Sequence, residues 1–336
     1  MALADGTNFG AYRIIGRLGR GGMATVYRAY EPGLDRYVAL KVLPEDSLEN
    51  ETAVRRFELE ARAVARLVHP NIVPVHAFGI EEATRTPWMA LQLIEGGSLA
   101  SVVAQGTVIP QRAAALLRGI ASALDYAHGQ GVLHRDVKPQ NVLIAAGDHV
   151  YLADFGLARI LESSAVLSAT GTVLGTPQYM APEQALGQEL DHSCDIYALG
   201  IVAYELLAGA PPFQADTPLA VLMKHVREPI PIPAPERVAE PLLRPVLKAL
   251  AKDRKDRWAT ALAFVEALDG GVAETRAEQP TVPVVRPAPV ESIKATEADL
   301  DRTPEPATRT RPARTAPTAV PSRPAPRPNA GATDVC

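Results

Sequence analysis

From Thr25 to Tyr30 the chain reads TVYRAY, dominated by β-branched and aromatic residues, and after a turn signal at Pro32-Gly33 a similar run covers Tyr37 to Val42. The two runs predict strands of an antiparallel sheet. The period then changes. Val54 to Val68 carries an apolar stripe of Phe57, Ala61, Val64 and Leu67, the spacing of an amphipathic helix. Glu60 falls along that stripe, and an acid on a buried face requires a cationic partner. Lys41, a lone lysine between Leu40 and Val42, is the natural candidate. Farther on, Ile196 to Ala210 is the most apolar stretch, yet it holds Glu205 and ends at Pro211-Pro212. It is short of the ~20 residues a membrane span needs and predicts a buried core helix instead.

The pattern fades beyond residue 270. The 2 Trp, 9 Tyr and 6 Phe all precede residue 265, while 271–336 contains 12 prolines and no aromatic residue. Such a composition cannot bury enough surface to offset its ordering entropy, which predicts a disordered tail. That tail reads as a solvated linker, as a Pro/Arg-rich docking segment, or as phosphoacceptors at Thr303, Thr308, Thr310 and Thr315. The chain as a whole is globular in balance, with 47% hydrophobic and 21% charged residues. A net charge of −4 argues against a protein whose work is to neutralise nucleic-acid phosphates or an anionic membrane. The 2 cysteines, Cys194 and Cys336, make neither a disulfide framework nor a zinc site. The N-terminus lacks a basic region leading into an apolar stretch, so no signal peptide or membrane span is expected and a cytoplasmic location is.

The glycines of LGRGGMATVY take their meaning from the element after them. A dinucleotide fold or a P-loop needs a helix there, because the phosphates rest on the helix N-terminus. Here a strand comes next, so the loop joins two antiparallel strands and lies over a nucleotide as a flap. Two further segments carry chemistry. LHRDVKPQNVL (133–143) and YLADFGLA (151–158) place Asp136, Asn141 and Asp154 in two short loops. Hard oxygen donors of this kind suit Mg²⁺, which shares its shell with substrate phosphates. Lys138 can meet a transferred phosphate as a point charge.

Taken in order, the glycine loop, VALK (38–41), the helix glutamate, HRDVKPQN (134–141), DFG (154–156), APE (181–183), DIYALG (195–200) and a late arginine resemble a eukaryotic-like Ser/Thr protein kinase of the bacterial type. The resemblance covers about residues 8–270. It implies an α+β, bilobal fold: an antiparallel-sheet N-lobe with one key helix (about 8–94), a mainly helical C-lobe (about 95–270), and the tail 271–336 appended. It implies ATP- and Mg²⁺-dependent (or Mn²⁺-dependent) phosphoryl transfer to Ser/Thr hydroxyls of proteins, by a non-specific Ser/Thr kinase. Asp136 would accept or orient the acceptor hydroxyl's proton, and Asn141 and Asp154 would hold the metal. Lys41, held by Glu60, would position the α- and β-phosphates, and Lys138 would contact the γ-phosphate. Thr176 would link the substrate-binding loop to Asp136. Leu18, Gly19, Arg20, Gly21, Gly22, Met23 and Ala24 would form the flap, Val26, Ala39 and Leu143 would sandwich adenine, Leu91 would fall at the gatekeeper position, and the backbone of Gln92 and Ile94 would bond the base. Glu183 would pair with Arg257, and Asp195 would brace the catalytic loop. In one respect the chain departs from the pattern: Ala24 replaces the third glycine, which predicts tuned nucleotide affinity with activity retained.

Ser163, Ser164, Ser168, Thr170 and Thr172 cluster between DFG and APE. Autophosphorylation of Thr170, with Ser168 or Thr172, would add roughly −1.5 to −2 of charge and order the loop against Arg135. Two other readings compete with an active protein kinase. One is a pseudokinase-like nucleotide-binding scaffold, against which the intact Lys41, Asp136 and Asp154 count. The other is a small-molecule or lipid kinase, against which the segment Gly175 to Glu183 counts. A homodimer through the small lobe and a phosphothreonine-reading partner for the tail are further expectations.

Overall fold

Four short strands at the start of the chain are linked by turns, and their pairing reflects that economy. In the computed structural model, which describes residues 3–21, 24–43, 48, 51–155 and 176–278, β1 (Asn8–Phe9), β2 (Tyr12–Arg20), β3 (Thr25–Glu31) and β4 (Arg36–Val42) pair as consecutive antiparallel neighbours. β5 (Val75–Ile80) and β6 (Pro87–Gln92) complete a six-stranded sheet in the order β1-β2-β3-β4-β6-β5. Inward residues alternate along β3, where Thr25, Tyr27 and Ala29 are buried, and Tyr27 and Ala29 pack with Tyr12, Ile14, Val38 and Leu40. Val26 and Arg28 therefore lie on the opposite face, with Ala39 of β4 cross-strand from Arg28.

The helix packed on this sheet is α1 (Glu51–Val64), shifted toward the N-terminus from the expected Val54–Val68. Glu51 suits a first helical turn, where the exposed N–H groups favour a negative charge. At the far end Pro70 disfavours helical geometry just before it, and the chain tightens through Leu67 N–H to Val64 C=O at 2.9 Å. Leu67 stays buried all the same, now in the core of the second lobe.

That lobe comprises α2 (Leu99–Val103), α3 (Pro110–Gly129), the hairpin β7 (Val142–Ile144) and β8 (Val150–Leu152), α4 (Pro182–Ala185), α5 (Ser193–Ala208), α6 (Pro218–Arg227), α7 (Glu240–Ala249) and α8 (Ala261–Glu278). Every residue of α5 is buried, as its uniform apolarity predicts. Gly200 admits α7 closely: a methyl there would sit 3.0 Å from Ala249 and Leu250. The expected two-lobed α+β architecture is thus present.

One boundary differs. α8 runs to Glu278 rather than stopping at 270. Gly270-Gly271 reads as a break, but Gly271 sits against the Pro241 backbone, where any side chain would collide, and Val272 packs on the core. The glycine serves a close approach of α8 to α7. The remaining tail, including Thr303, Thr308, Thr310 and Thr315, lies outside the described residues, as do Gly22, Met23 and the activation-segment hydroxyls Ser163, Ser164, Ser168, Thr170 and Thr172. No described helix is long and apolar enough to cross a membrane.

Candidate active site

The hairpin β7–β8 carries two of the candidate site residues at its two ends. Asn141 precedes β7, Asp154 comes after β8, and the pairing of Val142 with Leu152 holds the ends together. A second bond, from Ala153 N–H to Asn141 C=O at 2.8 Å, continues the ladder to the site itself.

The loop before β7 is fixed from below. Asp195, in the first turn of α5 and buried, accepts the backbone N–H of His134 at 2.8 Å and of Arg135 at 2.7 Å. His128 of α3 meets the same carboxylate at 2.8 Å. Burial by itself would raise the Asp195 pKa, but these hydrogen bonds and nearby imidazoles outweigh it and keep the group below the ordinary range. His134 is fully buried as well. Its Nδ1 accepts the Asp136 N–H at 3.2 Å and its Nε2 donates to Ala153 C=O at 3.0 Å, the pattern of a neutral ring, in keeping with the lowering of its pKa by burial. Phe155 covers that ring at 4.6 Å between centroids.

On this base stands Asp136. Its Oδ2 accepts Lys138 Nζ at 2.7 Å and Asn141 Nδ2 at 3.0 Å, and its backbone carbonyl accepts Asn141 Nδ2 at 2.8 Å. With its amide nitrogen so occupied, Asn141 is left with Oδ1 as an acceptor. Lys138 reaches onward to Thr176 Oγ1 at 3.4 Å, so Thr176 is joined to Asp136 through the lysine. From the sheet side, Lys41 Nζ lies 2.9 Å from Asp154 Oδ1. The Lys41 charge holds the Asp154 carboxyl below its ordinary pKa. Both Asp154 and Arg135 adopt left-handed backbone angles, with φ of 55° and 65°. The Glu60 side chain expected to hold Lys41 lies outside the described residues.

The predicted nucleotide roof assembles from neighbouring strands. Val26 pairs with Lys41, and Ala39 lies between Arg28 and Leu91. Leu143, on β7, bridges to Ser98 from the lower lobe. Leu91 lines a small pocket with Lys41, Met89, Asp154 and Phe155. The Gln92 N–H is already given to Pro74 C=O at 3.0 Å, so that one donor is committed to the sheet. Ile94 stands just beyond, at the connection between lobes. In the flap, Leu18, Gly19 and Arg20 belong to β2, and Gly21 N–H closes the turn onto Ala24 C=O at 2.9 Å. Ala24 is buried among Leu43, Phe57, Ala61 and Met89.

Beyond Thr176 comes a turn at Pro177–Tyr179, whose continuation Glu183 forms a two-pronged ion pair with Arg257, at 2.6 and 2.8 Å. Beside Thr176 opens a cavity of about 360 Å³ lined by Gln140, Gln178, Tyr179, Glu205 and Gln214. Sequence reasoning missed Glu205 and Tyr179 here, although an acid inside the most apolar helix was the available signal. The Tyr179 hydroxyl donates to Glu205 Oε2 at 2.7 Å.

A family model for the protein kinase domain matches residues 12–267. The serine/threonine-protein kinase PknD of Mycobacterium tuberculosis is 39% identical over 298 residues, which cover 88% of this chain and 44% of that one. The serine/threonine-protein kinase pkn3 of Myxococcus xanthus is 36% identical over 309 residues, covering 86% of this chain and 56% of that one. The chain thus spans about half the length of these curated relatives. Among solved structures, the Mycobacterium tuberculosis PknI kinase domain matches with a TM-score of 0.62 and 31% identity, covering 80% of this chain and 100% of that one. The motif order, the bilobal fold, and these likenesses agree: the chain belongs to the protein kinase family, as a eukaryotic-like Ser/Thr protein kinase domain of the bacterial type.

Proposed function

We propose that this chain transfers the γ-phosphoryl group of ATP to Ser and Thr hydroxyls of proteins, its own activation segment included. The observation that carries this is the convergence of Lys138 and Asn141 on the Asp136 carboxylate, with Thr176 beyond. An acceptor hydroxyl laid against Thr176 would meet Asp136 as the base that takes or orients its proton. Lys138 sits where negative charge accumulates on the transferred group, and Lys41 supplies the second cation for the α- and β-phosphates.

The donor set suits a hard divalent cation. Asn141 Oδ1 and the Asp154 carboxylate are oxygens, and no three His, Cys, Asp or Glu gather among the described residues to favour a softer metal or an all-protein cage. Mg²⁺, or Mn²⁺ in its place, when bound would neutralise phosphate charge. The chain's own residues do the orienting: Asp195 fixes the loop, Asn141 fixes Asp136, and Lys41 holds Asp154.

Phosphorylation of Thr170, with Ser168 or Thr172, would set the activation segment against Arg135. Cytoplasmic location, a small-lobe homodimer and a phosphothreonine-reading partner complete the reading. It is tested by incubating the purified chain with labelled ATP and Mg²⁺ beside Asp136→Asn, with mass spectrometry of the products. Label on activation-segment hydroxyls, lost in the variant, is expected. Bound nucleotide without label would turn the reading toward a scaffold.

A further inference from the structure

α6 packs on the turn Pro177–Tyr179, the segment that borders the acceptor side of the site. The polar run Lys224, His225, Arg227 at its end looks like a solvated face, yet His225 is fully buried. Its Nδ1 lies 2.8 Å from the Tyr197 hydroxyl on α5, its backbone carbonyl accepts Lys252 Nζ at 2.7 Å, and Phe213 meets the ring edge-on at 5.0 Å. A tyrosine hydroxyl donating to Nδ1 leaves the proton of a neutral imidazole on Nε2. The ring is neutral: burial first, then the Lys252 charge, hold its pKa down to about 3, against a smaller opposing effect of the Gln178 backbone.

His225 Nε2, buried, is turned to the Gln178 backbone without the geometry of a full hydrogen bond, and Gln178 Oε1 on the facing turn is a buried acceptor with no partner among the described residues. Behind His225, the Tyr197 ring is covered by the Arg257 guanidinium at 4.8 Å, and Arg257 in turn binds Glu183. Tyr197 thus stands between the two anchors of the segment 176–183. The Glu183 anchor is an ion pair. The other anchor is the imidazole.

We propose that His225 is a positioning residue for the acceptor protein: Tyr197 holds it in one tautomer, and its Nε2–H faces Gln178 and sets where the Thr176–Tyr179 segment lies. The inference rests on the protein-kinase reading above. It is an effect on the acceptor side alone, because neither His225 nor Tyr197 reaches the nucleotide cleft.

The test uses the full chain with His225→Phe, Tyr197→Phe and His225→Gln, myelin basic protein as acceptor, and amide hydrogen exchange of 176–180 without acceptor. The first two variants are expected to raise KM for the acceptor about fivefold while KM for ATP moves less than about twofold. Exchange at Gln178 and Tyr179 should quicken about tenfold, and His225→Gln, which keeps a donor, should recover most of both effects. Should His225→Phe not fold, Tyr197→Phe removes a single oxygen and carries the comparison. Parallel changes in both KM values, or unchanged exchange in folded variants, overturn the proposal. If the wild type phosphorylates no protein, the kinase reading fails, and the exchange measurement still decides the role of His225.

Discussion

Asp195 holds Arg135 in a left-handed backbone conformation, its Oδ1 accepting the Arg135 N–H at 2.7 Å where φ is 65°. A non-glycine residue in that region costs on the order of 1–3 kcal/mol and persists only where its surroundings over-determine it. The next residue is Asp136, so the buried carboxylate of α5 sets the direction from which the candidate base enters the cleft.

Asp195→Asn tests this at one atom. The amide keeps a single acceptor oxygen for two backbone N–H groups, leaving one buried donor short of a partner at a cost of about 1–3 kcal/mol. Phosphotransfer should fall by at least about tenfold in kcat through misplacement of Asp136, with KM for ATP little changed. Equal turnover in the variant and wild type would show that the loop holds its shape without the carboxylate.

The Glu183–Arg257 pair is buried to 4% and 0% side-chain exposure. Removing one partner strands the other's charge, so Arg257→Ala should cost about 3–5 kcal/mol in urea unfolding. The double variant Glu183→Gln/Arg257→Met should lose clearly less than the sum of the two single losses. Strict additivity would mean that each residue acts through separate contacts, for Arg257 its bonds to the Ser193, Ala251 and Lys252 carbonyls.

What the spacing of residues discloses by itself is local, whereas the long-range pairs of Glu183 with Arg257 and of Asp195 with the 134–135 backbone are expected only through the family resemblance. His134, Asp136, Lys138 and Asn141 bond among themselves within eight residues, so their spacing alone exposes the site. Lys41 and Asp154 meet across 113 positions, and no periodicity points from one to the other. The glycines at 270 and 271 signal a break by propensity, but the close approach of Pro241 that explains Gly271 is a fact of packing. Glu205 was visible as an acid in an apolar helix, while its partner Tyr179 lies in a loop. His225 sits in a polar run whose solvated appearance the fold reverses.

Ala24 is another position where packing revises a motif. Its methyl is buried in the cluster that Phe57 and Ala61 of α1 form with Leu43 and Met89, so the loop shares a core with the helix as well as with the strands. Ala24→Gly should lower stability by about 1 kcal/mol, from lost burial and added chain freedom, with phosphotransfer retained. A thermal melt and an ATP titration measure the two effects. A variant as stable as the wild type would mean that the methyl contributes no packing.

Glu205 gives a prediction in pH. Burial raises its pKa above the ordinary 4.5, and the bond from Tyr179 only partly offsets this. The folded state therefore binds the proton more tightly than the unfolded one. The stability this group contributes is fully present below pH 4.5 and is lost as pH rises through the folded pKa. Glu205→Gln keeps an oxygen for the Tyr179 hydroxyl and removes the titration. The Tm of the variant minus that of the wild type should grow from about pH 4 to pH 7, as only the wild type bears the cost of a buried carboxylate. A difference that stays level or shrinks with rising pH would mean that the Tyr179 hydroxyl and the water of the adjoining cavity stabilise the charged form after all. The same two melts thus decide whether Glu205 faces the cavity beside Thr176 as an acid that holds its proton more tightly than in the unfolded chain or as a settled anion.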